Sequence, residues 1–200
     1  MAAPASSARR CFGDGDPLYE RYHDHEWGFP ARDERALFEL LSLEAFQAGL
    51  SWRTILAKRD AFRAAFANFD PGAVARFVSS DVKRLLGDER IVRNRAKIEA
   101  TIANARATVA MREGREPLES LFRAHAPAPP HTPPATWADV RPTTSESATL
   151  ARELKRRGFQ FLGPTTVYAF MQACGFVDDH LASCPTRPAA ERARHAAGLT

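Results

Sequence analysis

The sequence has few cysteines, no long hydrophobic run and no excess of one charge along most of its length. Three cysteines among 200 residues are an odd number and do not form a disulfide framework, so we expect a reducing, cytoplasmic setting. No apolar run approaches the ~20 residues that cross a bilayer, and the first residues lack the apolar segment of a secretory signal. Membrane proteins and disulfide-stabilised secreted proteins are therefore not expected.

The net charge of +4 does not by itself indicate a nucleic-acid-binding protein, because the excess lies at the two ends of the chain. Arg9 and Arg10 supply half of it and the C-terminal segment supplies the rest, which leaves 11–184 formally neutral. Two local basic runs remain, at 83–106 and 152–158. Such runs either follow a phosphate backbone or form an ordinary solvated helix face.

Apolar residues recur at helical spacing in eight segments, and no alternating strand pattern persists. The predicted helices lie near 33–48, 52–67, 71–79, 81–87, 93–112, 117–125, 145–157 and 163–175. Their predicted caps are Asp70 before Pro71, and Ser80 or Asp81 for the next helix. The fold class is therefore all-α.

One proline-rich segment, HAPAPPHTPPATW at 125–137, is incompatible with a helix and predicts an extended connector. It joins the two helical halves of one domain, which we expect to span 11–184. The Ala/Arg-rich end at 1–10 is expected to be a disordered tail, and 185–200 a flexible basic tail.

The segment LLSLEAFQAGLSW, at 40–52, places a glutamate where an apolar residue is expected. Glu44 lies seven residues after Leu37, on the stripe that also holds Leu41. Burying a carboxylate without a partner is costly, so Glu44 must be paired, protonated or used. With Trp52 just beyond the helix, it favours a pocket for a flat, hydrogen-bonding and cationic ligand, such as a methylated purine. The alternative is a core glutamate bonded to a buried tyrosine or arginine.

Two distant segments carry residues that bind soft metals. Cys11 and His23 lie in CFGDGDPLYERYHDHEWG, and His180 and Cys184 are four apart in DDHLASC. A spacing of four puts both side chains on one face of a helix. Together the four would make a tetrahedral zinc set that joins the start of the chain to its end. A chance arrangement of unrelated residues remains the alternative on spacing alone.

The segment LLGDERIVRNRAKI, at 85–98, predicts a short helix, a tight turn and a second helix that begins with basic residues. Backbone N–H groups at the start of that helix can face a phosphate, with Arg93, Arg95 and Lys97 beside them. The alternative is a helical corner whose cations lie in solvent.

Four stretches in this order resemble the 3-methyladenine DNA glycosylase I family, a branch of the helix-hairpin-helix DNA glycosylases. They are DPLYERYHDHEWG, LFELLSLEAFQAGLSW, RIVRNRAKIEATIANAR and GFQFLGPTTVYAFMQACGFVDDH, and they span about residues 10–184. The resemblance implies the helix-hairpin-helix glycosylase fold, with one structural Zn²⁺ per chain on Cys11, His23, His180 and Cys184.

The same resemblance implies roles for the pocket and for the DNA-facing residues. Glu44 corresponds to the base-contacting glutamate. The pocket aromatics correspond to Tyr19, Tyr22, Trp27 and Trp52. Gly49 and Leu50 correspond to the turn that meets the gap in the duplex, and 85–98 to the hairpin. Two departures stand out, since Gly13 replaces a tryptophan common in the family and Arg90 replaces the glycine of some relatives.

The implied activity is a monofunctional glycosylase of base excision repair that flips 3-methyladenine out of alkylated double-stranded DNA and releases it by hydrolysis. Methylation at N3 makes adenine cationic and weakens its glycosidic bond, and NARATVAMREG after the hairpin offers no obvious catalytic aspartate. A monomer without a nucleotide cofactor or membrane partner is expected.

Two alternatives are a non-catalytic, zinc-clasped DNA-binding module, which needs no Glu44, and an enzyme of free nucleobases or nucleosides, which needs no hairpin.

Overall fold

The structure, a computed structural model, describes residues 9–128 and 132–199 and has no β-strand in that part of the chain. Its α-helices are α1 Pro17–His25, α2 Glu34–Gln47, α3 Trp52–Ala57, α4 Arg59–Ala65, α5 Pro71–Ala75, α6 Ser79–Gly87, α7 Arg95–Glu113, α8 Leu118–Ala124, α9 Ser145–Arg156, α10 Pro164–Ala173 and α11 Arg187–Ala196. The predicted all-α class is confirmed. None of the described helices is long and apolar enough to span a membrane.

The predicted helix boundaries are accurate where an apolar stripe coincides with a capping residue. Asp70 accepts a hydrogen bond from the Ala73 N–H at 2.6 Å, as its predicted capping role requires. The predicted start of α6 is wrong, because the helix begins at Ser79 and Asp81 instead accepts from the Val78 N–H. The predicted helix 52–67 is also wrong as one unit, since Lys58 separates α3 from α4.

Helix α2 is the centre of the core and packs against α3, α7, α8 and α10. Its inward face buries Leu37, Phe38 and Leu41 completely. Each such side chain stabilises the fold by roughly 1.5–3 kcal/mol through removal of apolar surface from water. Glu44 continues that same buried face, so the helix that anchors the core also positions a carboxyl group inside it.

The end of α2 is capped by a lysine from α7. The Lys97 ammonium donates to the Phe46 carbonyl oxygen at 2.9 Å and to the Ala48 carbonyl oxygen at 2.5 Å. These carbonyls lie at a helix C-terminus, where a cation is favourable. The residue is only 5% exposed, and burial lowers the pKa of Lys97. Lys97 therefore fixes the point at which the chain leaves α2.

The C-terminal segment is not a flexible tail, so the prediction for 185–200 is wrong over the described residues. Arg187 and Arg194 of α11 are buried, and they donate to the carbonyl oxygens of His180 and Gly175 respectively. These bonds tie α11 to the segment after α10. Most of the predicted tail at 1–10 lies outside the described residues.

The proline-rich connector returns the chain to its N-terminal segment. Residues 129–131 lie outside the described part, and 132–136 are not helical. The Pro134 carbonyl accepts from the Ala182 N–H at 2.9 Å. A short 3-10 turn, Trp137–Asp139, follows, and the Trp137 indole N–H donates to the Cys11 carbonyl oxygen. The connector therefore bonds to both segments that carry the predicted metal ligands.

Candidate active site and metal-ligand cluster

A cavity of about 260 Å³ lies between the N-terminal segment, α2, α3, α10 and the connector. It is called the aromatic pocket below. Its walls are Phe12, Tyr19, Tyr22, Trp27, Glu44, Gln47, Trp52, Trp137, Ala169 and Gln172. Ligand pockets range over ~300–1,000 Å³, so this one suits a single flat ring system rather than a whole nucleotide.

Glu44 is the carboxyl group of this pocket, and it has no hydrogen-bond partner at Oε2 although that atom is buried. The residue is 5% exposed. Burial raises the pKa of Glu44 to about 8, because an apolar environment disfavours the anion. The alternative of a core glutamate satisfied by a tyrosine or arginine does not describe this oxygen. Glu44 presents an unsatisfied polar atom to whatever enters the pocket.

The predicted aromatic residues all line the same pocket. The Tyr22 and Trp52 ring centroids lie 5.4 Å apart, and the buried Trp52 Nε1 has no hydrogen-bond partner. Burial, with a smaller contribution from Glu44, raises the pKa of Tyr22 well above its ordinary value. Tyr19 accepts from the Arg53 N–H at 3.0 Å, which joins α1 to the start of α3. The pocket thus has apolar ring faces and two unpaired polar atoms.

Two aromatic wall residues, Phe12 and Trp137, were not predicted from the sequence. Their ring centroids lie 5.1 Å and 6.1 Å from that of Trp27. A side chain at position 13 does not fit here, because the φ of Gly13 is +91° and an added Cβ would lie 2.7 Å from the Tyr19 Cβ. The two rings occupy the side of the pocket next to that glycine. Trp137 follows a proline-rich segment without periodicity, so only the fold reveals its position.

The turn after α2 lies at the rim of the pocket. Gly49 has a φ of +82°, a conformation that favours glycine. The next residue, Leu50, is 42% exposed, which is high for a leucine. Gln47, two residues before Gly49, lines the pocket. The turn therefore presents an apolar side chain to solvent beside the pocket. The family resemblance implies the duplex contact at this same turn.

Three of the four predicted metal ligands form a buried cluster. The ligand atoms of Cys11, His23 and Cys184 all lie within 4.8 Å of one another. His23 Nε2 lies 3.5 Å from the Cys184 sulfur. Hydrogen bonding with Cys11, and then with His23, lowers the pKa of Cys184. These residues form a possible metal-binding group that joins the start of the chain to its end, and they are called the metal-ligand cluster below.

The fourth predicted ligand, His180, packs beside these three residues and is counted with them in the metal-ligand cluster below. Its ring centroid lies 5.0 Å from that of His23, and its buried Nε2 has no hydrogen-bond partner. Its Nδ1 lies 2.7 Å from an Asp178 carboxylate oxygen, which orients the ring. Gly28 leaves room for it, since an added Cβ would lie 2.6 Å from the His180 Cε1. An imidazole is thus held with one nitrogen free.

A second carboxylate orients the other imidazole. Asp24 lies 2.9 Å from His23 Nδ1. The Arg10 guanidinium donates to Asp24 at 2.8 Å and holds the pKa of that carboxyl well below its usual range. Carboxylates behind histidines fix the ring orientation and the tautomer of metal ligands. Both imidazoles therefore have the surroundings that metal-binding histidines commonly have.

Two rings of the aromatic pocket pack against the metal-ligand cluster. Trp27 lines the pocket and packs edge-to-face against His180, with centroids 4.6 Å apart. Phe12 lines the pocket and packs edge-to-face against His23, at 5.0 Å. The imidazoles of the cluster consequently buttress two pocket walls from behind.

The predicted hairpin comprises α6, the turn 88–94 and α7. Arg93 and Arg95 are exposed and make only long contacts with nearby glutamates, at 3.5 and 3.3 Å. Lys97 differs, because its ammonium is bound to the carbonyls that end α2. The prediction that Lys97 faces DNA is therefore corrected to a structural role. Arg90 bonds to Asp88 at 2.9 Å through its side chain, and its backbone φ is negative, so glycine is not needed there.

Comparison with known proteins places this site in a family. Residues 12–187 match the family described as methyladenine glycosylase. The chain is similar to DNA-3-methyladenine glycosylase 1 of Escherichia coli strain K12, with 48% identity over 174 residues, 86% of this chain and 93% of that protein.

Solved structures give the same result. The chain is similar to a crystal structure of 3-methyladenine DNA glycosylase I, with a TM-score of 0.86, 46% identity, and coverage of 88% of this chain and 98% of that one. It is also similar to the Staphylococcus aureus 3-methyladenine DNA glycosylase I whose structure describes 3-methyladenine recognition. That match has a TM-score of 0.84 and 38% identity, and covers 89% and 95% of the two chains.

Proposed function

The chain belongs to the methyladenine glycosylase family, and on this basis we propose that it excises 3-methyladenine from alkylated DNA in base excision repair. One observation carries the proposal. A buried carboxyl group, Glu44, has an oxygen without a partner inside a pocket of aromatic rings. Such an atom is costly unless a ligand satisfies it.

We propose that the flipped base stacks against the rings of Tyr22 and Trp52. Extrusion costs a few kcal/mol of lost stacking and pairing, and it is cheapest for a damaged base. Glu44 accepts a hydrogen bond from the edge of the base, and a cationic methylated purine favours the anionic form of Glu44 over the neutral form. Tyr19 and Trp27 complete the walls. Because recognition uses charge and shape together, normal purines are bound less well.

The bond to the sugar then breaks by hydrolysis. N3 methylation gives the base a positive charge, so the departing base leaves neutral and needs no protonation. Water attacks the sugar carbon and loses its proton to solvent. The Lys97 ammonium is buried and bound to two carbonyl groups, so it does not serve as a nucleophile. A covalent enzyme–sugar intermediate and strand nicking are therefore not expected.

We propose that the metal-ligand cluster holds one structural Zn²⁺. Two cysteines and two histidines suit zinc in tetrahedral geometry. Cys11, His23 and Cys184 are already grouped, and the unpartnered Nε2 of His180 is the natural fourth donor. The ion would stabilise the joined chain ends and take no part in bond breaking.

DNA is the partner of this family of enzymes, and we propose that the chain binds it as a duplex and as a monomer. Arg93 and Arg95 contact phosphates from the hairpin, and Gly49 and Leu50 meet the gap left by the flipped nucleotide. Positively charged side chains supply most of the sequence-independent affinity for DNA. The cytoplasmic setting expected from the three cysteines stays a prediction.

Base release from methylated duplex DNA tests this function. The purified chain is incubated with DNA treated with a methylating agent, and the released purines are separated and identified. We expect 3-methyladenine as the main product and an intact strand until the abasic site is cleaved by alkali. Failure to release any methylated purine would refute the proposed activity. Direct nicking would refute the monofunctional mechanism.

A further inference from the structure

A second and larger cavity lies on the other side of the turn that follows α2. It has a volume of about 930 Å³ and is called the basic groove below. Its lining residues come from the end of α2, from α9 and from the loop into α10. They include Ala48, Arg152, Lys155, Gln160 and Phe161.

The charged side chains that line the basic groove are both cations. Arg152 and Lys155 are exposed, and no acidic residue belongs to the lining. The nearby Glu153 is paired instead with Arg156 and Arg157 of the same helix region. The groove therefore has the charge that attracts a polyanion.

Phe161 stands in this groove in an unusual conformation. It is 44% exposed, and its φ of +62° is in the left-handed region that side chains rarely adopt. An exposed phenyl ring stabilises the fold little, so packing does not account for this arrangement. Strained backbone of this kind persists where the surroundings impose it, and it clusters at binding sites.

A buried asparagine fixes the residue before Phe161. Asn104 of α7 donates to the Gln160 carbonyl oxygen at 3.1 Å and accepts from the Gln160 N–H at 2.7 Å. The Lys97 ammonium lies 5.9 Å from the centroid of the Phe161 ring. The loop is thus fixed by two bonds to the residue just before Phe161, and the ring is presented in a preformed position.

The basic groove is continuous with the proposed duplex contact. Gln47 lines the aromatic pocket and Ala48 lines the basic groove, while Leu50 is exposed from the same turn. The turn therefore separates a pocket sized for one base from a wide basic groove. The proposed duplex contact thus lies between the two cavities.

We propose that the basic groove binds the DNA strand opposite the lesion, with Phe161 stacked on the base left unpaired by flipping. Arg152 and Lys155 contact the phosphates of that strand. The inference rests on the proposed function for its ligand, duplex DNA, and it requires no base release. An unpaired base exposes its ring face to solvent, and an aromatic side chain covers such a face regardless of base identity.

The ring is tested by equilibrium binding to duplexes that carry a stable abasic analogue at the lesion position. We expect Phe161→Ala to bind about tenfold more weakly, as for the loss of one base–aromatic stack, and Phe161→Tyr to bind normally. A second duplex also lacks the opposite base. The wild-type protein should bind this second duplex about tenfold more weakly than the first. Phe161→Ala should bind both duplexes with the same affinity.

Equal losses for Phe161→Ala on both duplexes would overturn the stacking assignment. If Phe161→Ala loses as much affinity for the single-stranded lesion oligonucleotide, the groove binds the lesion strand and the proposal is wrong. Unchanged affinity on all of them would remove Phe161 from the interface. Free 3-methyladenine binding and thermal stability should be unaltered in Phe161→Ala, which separates this ring from the pocket and from folding.

The cations are tested by the salt dependence of duplex binding. Arg152→Gln with Lys155→Gln should reduce the slope of log affinity against log salt by about 1.8, since each phosphate contact contributes ~0.9. Arg156→Gln on the same helix, whose partner is Glu153, is the matched control and should leave the slope unchanged. If Arg156→Gln has the same effect on the slope, the overall positive potential of the protein explains the salt dependence, and the assignment to the groove is wrong. A chain that shows all these binding effects but releases no base would refute the proposed reaction and leave the groove intact.

Discussion

The aromatic pocket and the metal-ligand cluster are adjacent and buried, and the rings of Phe12 and Trp27 lie between them, but their polar groups have different surroundings. In the cluster, each imidazole has a carboxylate behind it, Asp24 for His23 and Asp178 for His180. In the pocket, the Oε2 of Glu44 and the Nε1 of Trp52 have no partner. His180 also has a nitrogen without a partner, but its ring is oriented by Asp178 through the other nitrogen. The two regions therefore differ in the carboxylates that orient the imidazoles.

This difference indicates two kinds of ligand. Oriented donors suit an ion that stays bound, because the same contacts serve folding at all times. Unpaired donors and acceptors suit a molecule that enters and leaves, at the cost of stability while the pocket is empty. The cluster should therefore control stability and the pocket should control activity, and four measurements test this separation.

The largest effect is expected from the cluster. Cys184→Ser should lose bound metal and reduce the free energy of unfolding by roughly 4 kcal/mol or more, as for the loss of a structural metal. Denaturant unfolding and metal analysis measure both quantities. Cys174→Ala is the matched control, since Cys174 is buried outside the cluster and its loss should leave the metal content unchanged. A Cys184→Ser protein that keeps its stability would break the comparison.

The next effect is expected from the pocket and concerns activity. Glu44→Gln should lower kcat/KM for 3-methyladenine release about a hundredfold, since a hydrogen bond to a charged group contributes ~1.5–3 kcal/mol. Glu39→Gln on the same helix, where Glu39 pairs with Arg63, is the control and should retain activity. Undiminished release by Glu44→Gln would remove the assigned role of this carboxyl.

A third measurement asks whether the empty pocket reduces stability. The pKa of Glu44 is raised by burial from 4.5 to about 8, so the folded state holds a proton that the unfolded state loses. Its contribution to stability is fully present below pH 4.5 and declines as the pH rises to about 8. The free energy of unfolding of the wild type should therefore fall relative to Glu44→Gln across this window. A constant difference between the two proteins would contradict the shifted pKa.

The smallest effect is expected from Trp137, the wall that comes from the connector and is 43% exposed. Trp137→Leu should weaken binding of free 3-methyladenine about fivefold, the size of one aromatic contact. Trp137→Phe keeps a ring but loses the N–H to the Cys11 carbonyl, so it separates stacking from tethering. Metal content should be normal in both. An altered metal content would mean that the wall and the cluster are not separable.

The parts predicted from sequence are those that short-range patterns determine. Helix α2 and the burial of Glu44 followed from apolar spacing, because a helix repeats its face every 3.6 residues. The cap at Asp70 followed from side-chain chemistry next to a proline. The grouping of Cys11 and His23 with Cys184 was suggested by residue type, and the family resemblance supplied the connection between the two ends.

The parts that were missed depend on contacts between distant segments. Trp137 reaches the pocket because Ala182 and Cys11 hold the connector in place by hydrogen bonds to Pro134 and Trp137, and no local pattern contains that information. Lys97 looks like a surface cation in sequence, but the end of α2 lies against it in the fold. Helix α11 was read as a flexible tail because it is rich in alanine and arginine, and two of its arginines are buried against carbonyl groups.

The metal-ligand cluster also has a consequence for synthesis of the protein. Cys11 and His23 precede Cys184 in the chain by more than 150 residues, and synthesis proceeds at ~5–20 residues per second. The group of Cys11, His23 and Cys184 therefore forms only after residue 184 has been translated. Until then the N-terminal segment carries two of its members without the third.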